Sequence, residues 1–186
     1  MADETLTAWL LDSDPALRWQ VQRDLLGAPS DVWQSTRAQI ATQGYGARLL
    51  EQQDTDGQWA GGAFFPADFD FDGPEASQDG QPWTATTWAL NSLREWGLAP
   101  DILQSRRTVE LLTEHSRWEY ENLPYWDGEV DCCINAYTVA NGVWLGADII
   151  VIVDWFLTHQ LPDGGWNCEW VEGSRRPTTR RSTTRP

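Results

Sequence analysis

Lysine is absent from this 186-residue chain, and all thirteen of its basic residues are arginine. Acidic residues outnumber them at 28, which leaves a formal charge of −15 at neutral pH. Such a surface repels phosphate backbones and excludes nucleic acid as an expected partner. Cysteine is scarce and odd in number: Cys132 and Cys133 are adjacent and Cys168 stands apart, a poor basis for a disulfide framework. Long apolar runs are missing as well. The most apolar stretch, residues 149–153, is bracketed by Asp148 and Asp154. It falls far short of the roughly 20 apolar residues that a membrane span requires. The first seven residues are polar and acidic, without the basic-then-apolar form of a signal peptide. These absences lead us to expect a cytoplasmic chain with no transmembrane segment.

What is present points to a packed domain. Residues of the aliphatic, aromatic and cysteine classes make up 41% of the chain, too many for general disorder, and the length suits one core. Thirteen tryptophans are the outlier. An indole combines a large apolar body with one N–H donor, so it serves both cores and ligand pockets. Most are expected to be packing residues, with the remainder free to line a cavity for an apolar or sugar-like ligand.

Helix punctuation recurs along the sequence. Ser13-Asp14-Pro15 opens a helix that runs to Gly27, with Leu17, Val21 and Leu25 on one face at a spacing of four. Further helices are expected over residues 30–44, 47–53, 83–96, 101–116, 132–145 and 148–160, with Gly97 and Gly146 as stops. No stretch alternates as a strand would, so the fold class is all-α. Two long loops separate the helices. Residues 54–81 carry six Asp and four Phe, and residues 117–130 carry two Trp and two Tyr. Loops of this length in a compact domain are usually functional or disordered, and their aromatics argue against disorder.

One pattern occurs twice with the same internal spacing. Leu49-Leu50-Glu51-Gln52-Gln53-Asp54-Thr55-Asp56-Gly57-Gln58-Trp59 matches Phe156-Leu157-Thr158-His159-Gln160-Leu161-Pro162-Asp163-Gly164-Gly165-Trp166. Each has an apolar helix end, then Gln, three residues, Gly, one residue and Trp. A weaker relation links residues 89–97 with 139–146, aligning Asn91 with Asn141. The glutamine can bond backbone in the next turn, the glycine permits a tight reversal, and the indole covers it. Repetition every 45–60 residues or so indicates a helical repeat array.

The Gln-x3-Gly-x-Trp pattern resembles the repeat of squalene and oxidosqualene cyclases and, more loosely, that of protein prenyltransferase β subunits. The resemblance covers residues 46–172 and implies helix-pair repeats of an α/α toroid around an apolar pocket, here an incomplete ring. Residues 1–45, with Asp14-Pro15-Ala16-Leu17-Arg18-Trp19, resemble a HEAT-style helical extension. The implied ligand is an isoprenoid-like or other apolar molecule, with Trp83, Trp126 and Tyr137 as its expected contacts. An open ring exposes apolar inner faces, so self-association through the inner helices is expected.

Three chemistries follow from the residues. Class II cyclases place an Asp-x-Asp-Asp acid before Thr-Ala at an inner helix start, where a strong carboxylic acid protonates an alkene. Here the matching start reads Gln81-Pro82-Trp83-Thr84-Ala85, with Pro and Trp in place of the paired acids. Asp68, Asp70 and Asp72 alternate with Phe69 and Phe71 upstream in a different spacing, and read equally as a solvated acidic loop. Prenyltransferase β subunits hold zinc with an Asp-x-Cys pair and a distant His. Asp131 and Cys133 reproduce that pair at a helix start, but zinc takes three or four protein ligands, and His115 and His159 fall in helix ends. The competing reading is a buried thiol beside an N-capping Asp131. The third possibility is binding without catalysis, to a protein partner, a lipid or a polysaccharide. Its variant, an (α/α) glycosidase, would draw paired carboxylates from residues 68–79.

Residues 173–186 differ from everything before them, with five of the thirteen arginines and no aliphatic side chain. They read as a basic, disordered tail. Shifting the reading frame by one base lets residues 175–183 encode Ser-Ser-Tyr-His-Thr-Thr-Ile-Asn. That run is similar to the one following Gly-Gly-Trp-Asn-Cys-Glu in squalene-cyclase-like proteins. On this reading the tail is a frameshift product that ends a longer toroid early.

Overall fold

The computed structural model describes residues 4–73, 82–129 and 131–167. Among them the regular structure is helical, and the only strand-like pairings are two isolated bridges, Trp59 with Gly62 and Arg117 with Pro124. The helices are α1 (Glu4–Leu11), α2 (Pro15–Gln20), α3 (Ser30–Ala38), α4 (Gly44–Glu51), α5 (Thr86–Trp96), α6 (Pro100–Ser105), α7 (Thr108–His115), α8 (Cys132–Leu145) and α9 (Ile150–Thr158). No helix among the described residues is long and apolar enough to cross a membrane.

Several helix ends follow their residues directly. Asp14 caps α2 by accepting from Ala16 N at 2.9 Å, and Pro15 fills the first helical position. The other oxygen of Asp14 accepts from Tyr45 N at 2.8 Å, so one carboxylate serves the first turns of two helices. Gly97 and Gly146 stop α5 and α8 with φ of 88° and 78°, the left-handed region that glycine enters freely.

Other boundaries differ from the sequence reading, each for a local reason. Helix α1 was unforeseen because it buries no side chain and so carries no amphipathic stripe. The expected helix over 101–116 breaks into α6 and α7 where Arg107 adopts φ 58°. The helix over 30–44 ends after a 3-10 turn, Gln39–Ala41. Leu17, Val21 and Leu25 do not form a buried face: Val21 is buried while Leu17 and Leu25 are exposed. The chain enters a π-helical turn at Val21–Leu25, whose extra residue per turn breaks the spacing of four. Ala16 and Trp19 face the core instead.

The N-terminal helices share that core. The Trp19 indole donates to Trp96 O at 2.7 Å and Arg37 Nε donates to Gly97 O. A Cβ at Gly97 would lie 2.4 Å from the Trp19 ring, so this glycine both reverses the chain and admits the indole. Beyond this contact the core runs through Leu50, Trp59, Leu90, Leu93, Leu103, Leu112, Trp118 and Ile134. Helices α5 and α8 pack together, and Asn141 Nδ2 donates to Asn91 Oδ1 at 2.9 Å across the contact. The two asparagines aligned by the weaker internal similarity are thus a bonded pair.

The repeated pattern builds the same turn twice. Gln53 Nε2 donates to Gly57 O and Gln160 Nε2 to Gly164 O, both at 3.1 Å. The Trp59 indole donates to Leu49 O at 2.7 Å and the Trp166 indole to Phe156 O at 2.8 Å, in each case the helix carbonyl ten residues earlier. Gly57 and Gly164 have φ of 87° and 84°. Three further hydrogen bonds correspond: Asp54 N to Gln58 O and Leu161 N to Gly165 O, Gly57 N to Asp54 O and Gly164 N to Leu161 O, and Gln58 and Gly165 N to the carboxylates of Asp56 and Asp163. The turn staples its tryptophan to the preceding helix and presents that ring to whatever packs next.

Candidate functional site

The long loop after Trp59 is fixed to the start of α5. Thr86 Oγ1 accepts from Trp59 N at 3.1 Å and donates to Gly62 O at 2.6 Å, and Thr86 N and Thr87 N donate to Gly62 O and Ala63 O. From the other long loop, Glu119 Oε1 accepts from Ala63, Phe64 and Phe65 N at 2.9, 2.9 and 3.1 Å. This nest of three amides needs a tight local path, and a Cβ at Gly62 would lie 1.8 Å from Phe65 O. The two loops singled out by length therefore brace each other.

That bracing organises a continuous set of seven rings. Phe65, Phe69 and Phe71 pack as a triangle with centroids 4.8–5.0 Å apart. Phe64 joins Phe65 to Trp88, at 5.5 and 4.7 Å, and the Trp88 indole donates to Phe64 O at 3.0 Å. Trp83 stands edge-on to Trp88 at 4.2 Å, and Tyr137 of α8 approaches it at 5.9 Å. Trp83 and Tyr137 are 61% and 39% exposed. Of the three expected ligand contacts, the structure thus brings these two together around Trp88. Trp126 lies elsewhere: it is 5% exposed, donates to Val109 O at 3.2 Å and belongs to the core.

The alternating Asp68–Asp72 run explains itself in the same geometry. Its two phenylalanines pack on Phe65, Phe69 half-buried and Phe71 exposed, while Asp68, Asp70 and Asp72 point to solvent. Asp70 accepts from Asp72 N at 3.0 Å, a local turn bond. Glu75 and Asp79, the rest of that acidic loop, lie outside the described residues.

A buried polar node lies behind the rings. Trp118 stacks on Tyr125 at 4.9 Å with planes 9° apart, and the Tyr125 hydroxyl meets Thr87 Oγ1 at 2.9 Å. Burial pushes the Tyr125 phenol well above its usual value, outweighing the Thr87 hydrogen bond that acts the other way. Because the folded state holds this proton more tightly than the unfolded chain, stability is full below the ordinary tyrosine value and falls as pH rises above about 10. Chemical denaturation between pH 8 and pH 11 is expected to show this alkaline loss in wild type and a shallower one in Tyr125→Phe.

The start of α8 gathers acids and thiols but no imidazole. Asp131 N donates to Glu129 Oε2 at 2.9 Å, and Asn135 clamps Glu129 by accepting from its N and donating to its O. Cys132 is buried and Cys133 half-buried. Asp131 stands at the N-cap position of α8, where its side chain makes no capping hydrogen bond to the helix. His115 lies beside Glu114, and His159 stacks on Trp155 at 4.3 Å. Among the described residues no three or more His, Cys, Asp or Glu side chains are placed to hold a metal ion. Asp131 and Cys133 are two donors where zinc needs three or four. Cys168 and the arginine-rich tail, with its frame-shifted reading, lie outside the described residues.

The chain matches no family model, no curated protein and no solved structure.

Sequence reasoning missed Trp88, Phe64 and Glu119 as organisers of this surface. Trp88 was one indole among thirteen, without a local mark. The partners of Glu119 lie more than fifty residues away in sequence, so no short motif records them.

Proposed function

We propose that this chain is a helical repeat domain of the terpene-cyclase and prenyltransferase kind, an incomplete α/α toroid. Its proposed role is to bind an isoprenoid-like or other apolar molecule on the surface around Trp83, Trp88 and Tyr137. The supporting observation is the seven-ring set. Monomeric proteins seldom leave contiguous apolar area exposed without a use, and here Trp83, Phe71 and Tyr137 are exposed while the Trp88 ring behind them is fixed by its hydrogen bond to Phe64 O. Rigid rings on a braced floor give a ligand contact area at little ordering cost. The twice-built Gln–Gly–Trp turn supports the repeat architecture.

No catalytic step is part of the proposal. The exposed Asp68, Asp70 and Asp72 do not provide the dry, hydrogen-bonded acid that alkene protonation demands. Zinc on Asp131 and Cys133 would need further donors from outside the described residues, and no step runs through a metal.

Calorimetric titration with farnesol and, separately, with a cello-oligosaccharide tests the binding reading. Farnesol is expected to bind saturably, and Trp83→Ala or Tyr137→Ala to weaken it about tenfold, the order of one lost aromatic contact. Trp9→Ala, an exposed ring on α1, is expected to leave it unchanged. Saturable oligosaccharide binding with none for farnesol would favour a carbohydrate-binding domain instead.

A further inference from the structure

The two Gln–Gly–Trp turns are alike inside and unlike outside. Around the first, Arg106 Nη1 donates to Leu50 O at 3.0 Å at the end of α4. Gln53 Nε2 donates to Thr108 Oγ1 at 3.0 Å, and Leu111 sits so close over Gly57 that a Cβ there would meet it at 2.7 Å. One short segment, the start of α7 and the two residues before it, therefore fills the first turn. Its pattern is Arg-x-Thr-x-x-Leu. The consequence is burial: Leu50 is 2% and Trp59 1% exposed.

Around the second turn each of these contacts is missing among the described residues. Leu157, the counterpart of Leu50, is 70% exposed. Gln160 is exposed and makes only its internal bond to Gly164, and a Cβ at Gly164 would meet nothing within 4 Å. The helix that carries this turn leaves Ile150 and Val151 exposed as well. Between Arg117 and Arg175 there is no arginine, while Asp148, Asp154 and Asp163 lie before, within and after α9.

We propose that the α9 end and the Gln160–Trp166 turn form a preformed socket for an arginine-led amphipathic helix on a second polypeptide. The arginine caps Leu157 O, a hydroxyl two residues later accepts from Gln160, and a leucine three residues further covers Gly164 and Leu157. The acidic, arginine-free surroundings select a helix with a basic leading end. Residues 173–186 bring arginines but no aliphatic side chain, so they lack the leucine that the socket takes. This socket is separate from the aromatic surface and does not rest on the ligand reading.

The probe is a synthetic peptide of residues 104–117, Gln104 to Arg117, titrated into the full chain by fluorescence anisotropy. Saturable binding is expected, reduced about tenfold or more by Leu157→Asp on the protein or by Leu111→Asp on the peptide. Because Leu157 is exposed, its substitution leaves the fold intact, which far-ultraviolet circular dichroism verifies. Absence of binding, or equal binding by wild type and Leu157→Asp, would overturn the proposal.

Discussion

Trp59→Ala is expected to destabilise the chain by about 3–5 kcal/mol, the usual cost of emptying a buried tryptophan site. Trp166→Ala is expected to cost about 1–2 kcal/mol, chiefly its indole hydrogen bond and part of its packing. The two rings occupy the same place in the same turn and donate to corresponding carbonyls, so the internal chemistry cancels in the comparison. What differs is the surroundings. Trp59 is covered on all sides and its own N–H donates to Thr86, whereas Trp166 is only partly buried. Urea unfolding of both variants measures the difference, with unchanged m-values confirming that the unfolded state is common. Equal losses would show that neighbours contribute nothing to the turn and would remove the basis for reading the second copy as open.

The next largest effect is expected at Glu119. Replacing it by Ala leaves three backbone amides without their acceptor, one of them on buried Ala63. Each amide that cannot reach water costs about 1–3 kcal/mol, and since Phe64 and Phe65 N are more open, about 2–3 kcal/mol in total is the expected loss. The more specific signature is local. Without the nest, residues 62–72 lose their anchor to the second long loop, so limited proteolysis should cut there before the helices open. Glu119→Gln keeps an oxygen acceptor and is expected to recover part of the loss. If Glu119→Ala lowers stability without new cleavage in residues 62–72, the bracing described between the two loops is incorrect.

The parts legible in sequence were those with local causes. Asp14-Pro15 marked a helix start, Gly97 and Gly146 marked stops, and the glycine of each repeat marked a reversal, because each is a matter of a few adjacent dihedrals. The repeat was legible as spacing, and the glutamine bond came with it. The indole bond to a carbonyl ten residues back did not, since it depends on the path the turn takes. Ring roles divided in the same manner. Trp83 and Tyr137 were placed among the exposed aromatics, but Trp126 had the same composition around it and went to the core. Only long-range packing separates them. The failed stripe of Leu17, Val21 and Leu25 has the opposite origin: a local assumption, a regular α period, was broken by the π-helical turn at Val21–Leu25.

Indole N–H signals offer the most direct test of the proposed binding surface, because each tryptophan reports on its own place. In nitrogen–proton spectra recorded during farnesol addition, Trp83 and Trp88 are expected to shift progressively and saturate together. Trp19 and Trp59, whose indoles are held in the core by Trp96 O and Leu49 O, are expected to stay in place. Shifts at Trp83 and Trp88 alone would locate an apolar ligand on the seven-ring surface. Saturating shifts at other tryptophans, with Trp83 and Trp88 unmoved, would contradict it.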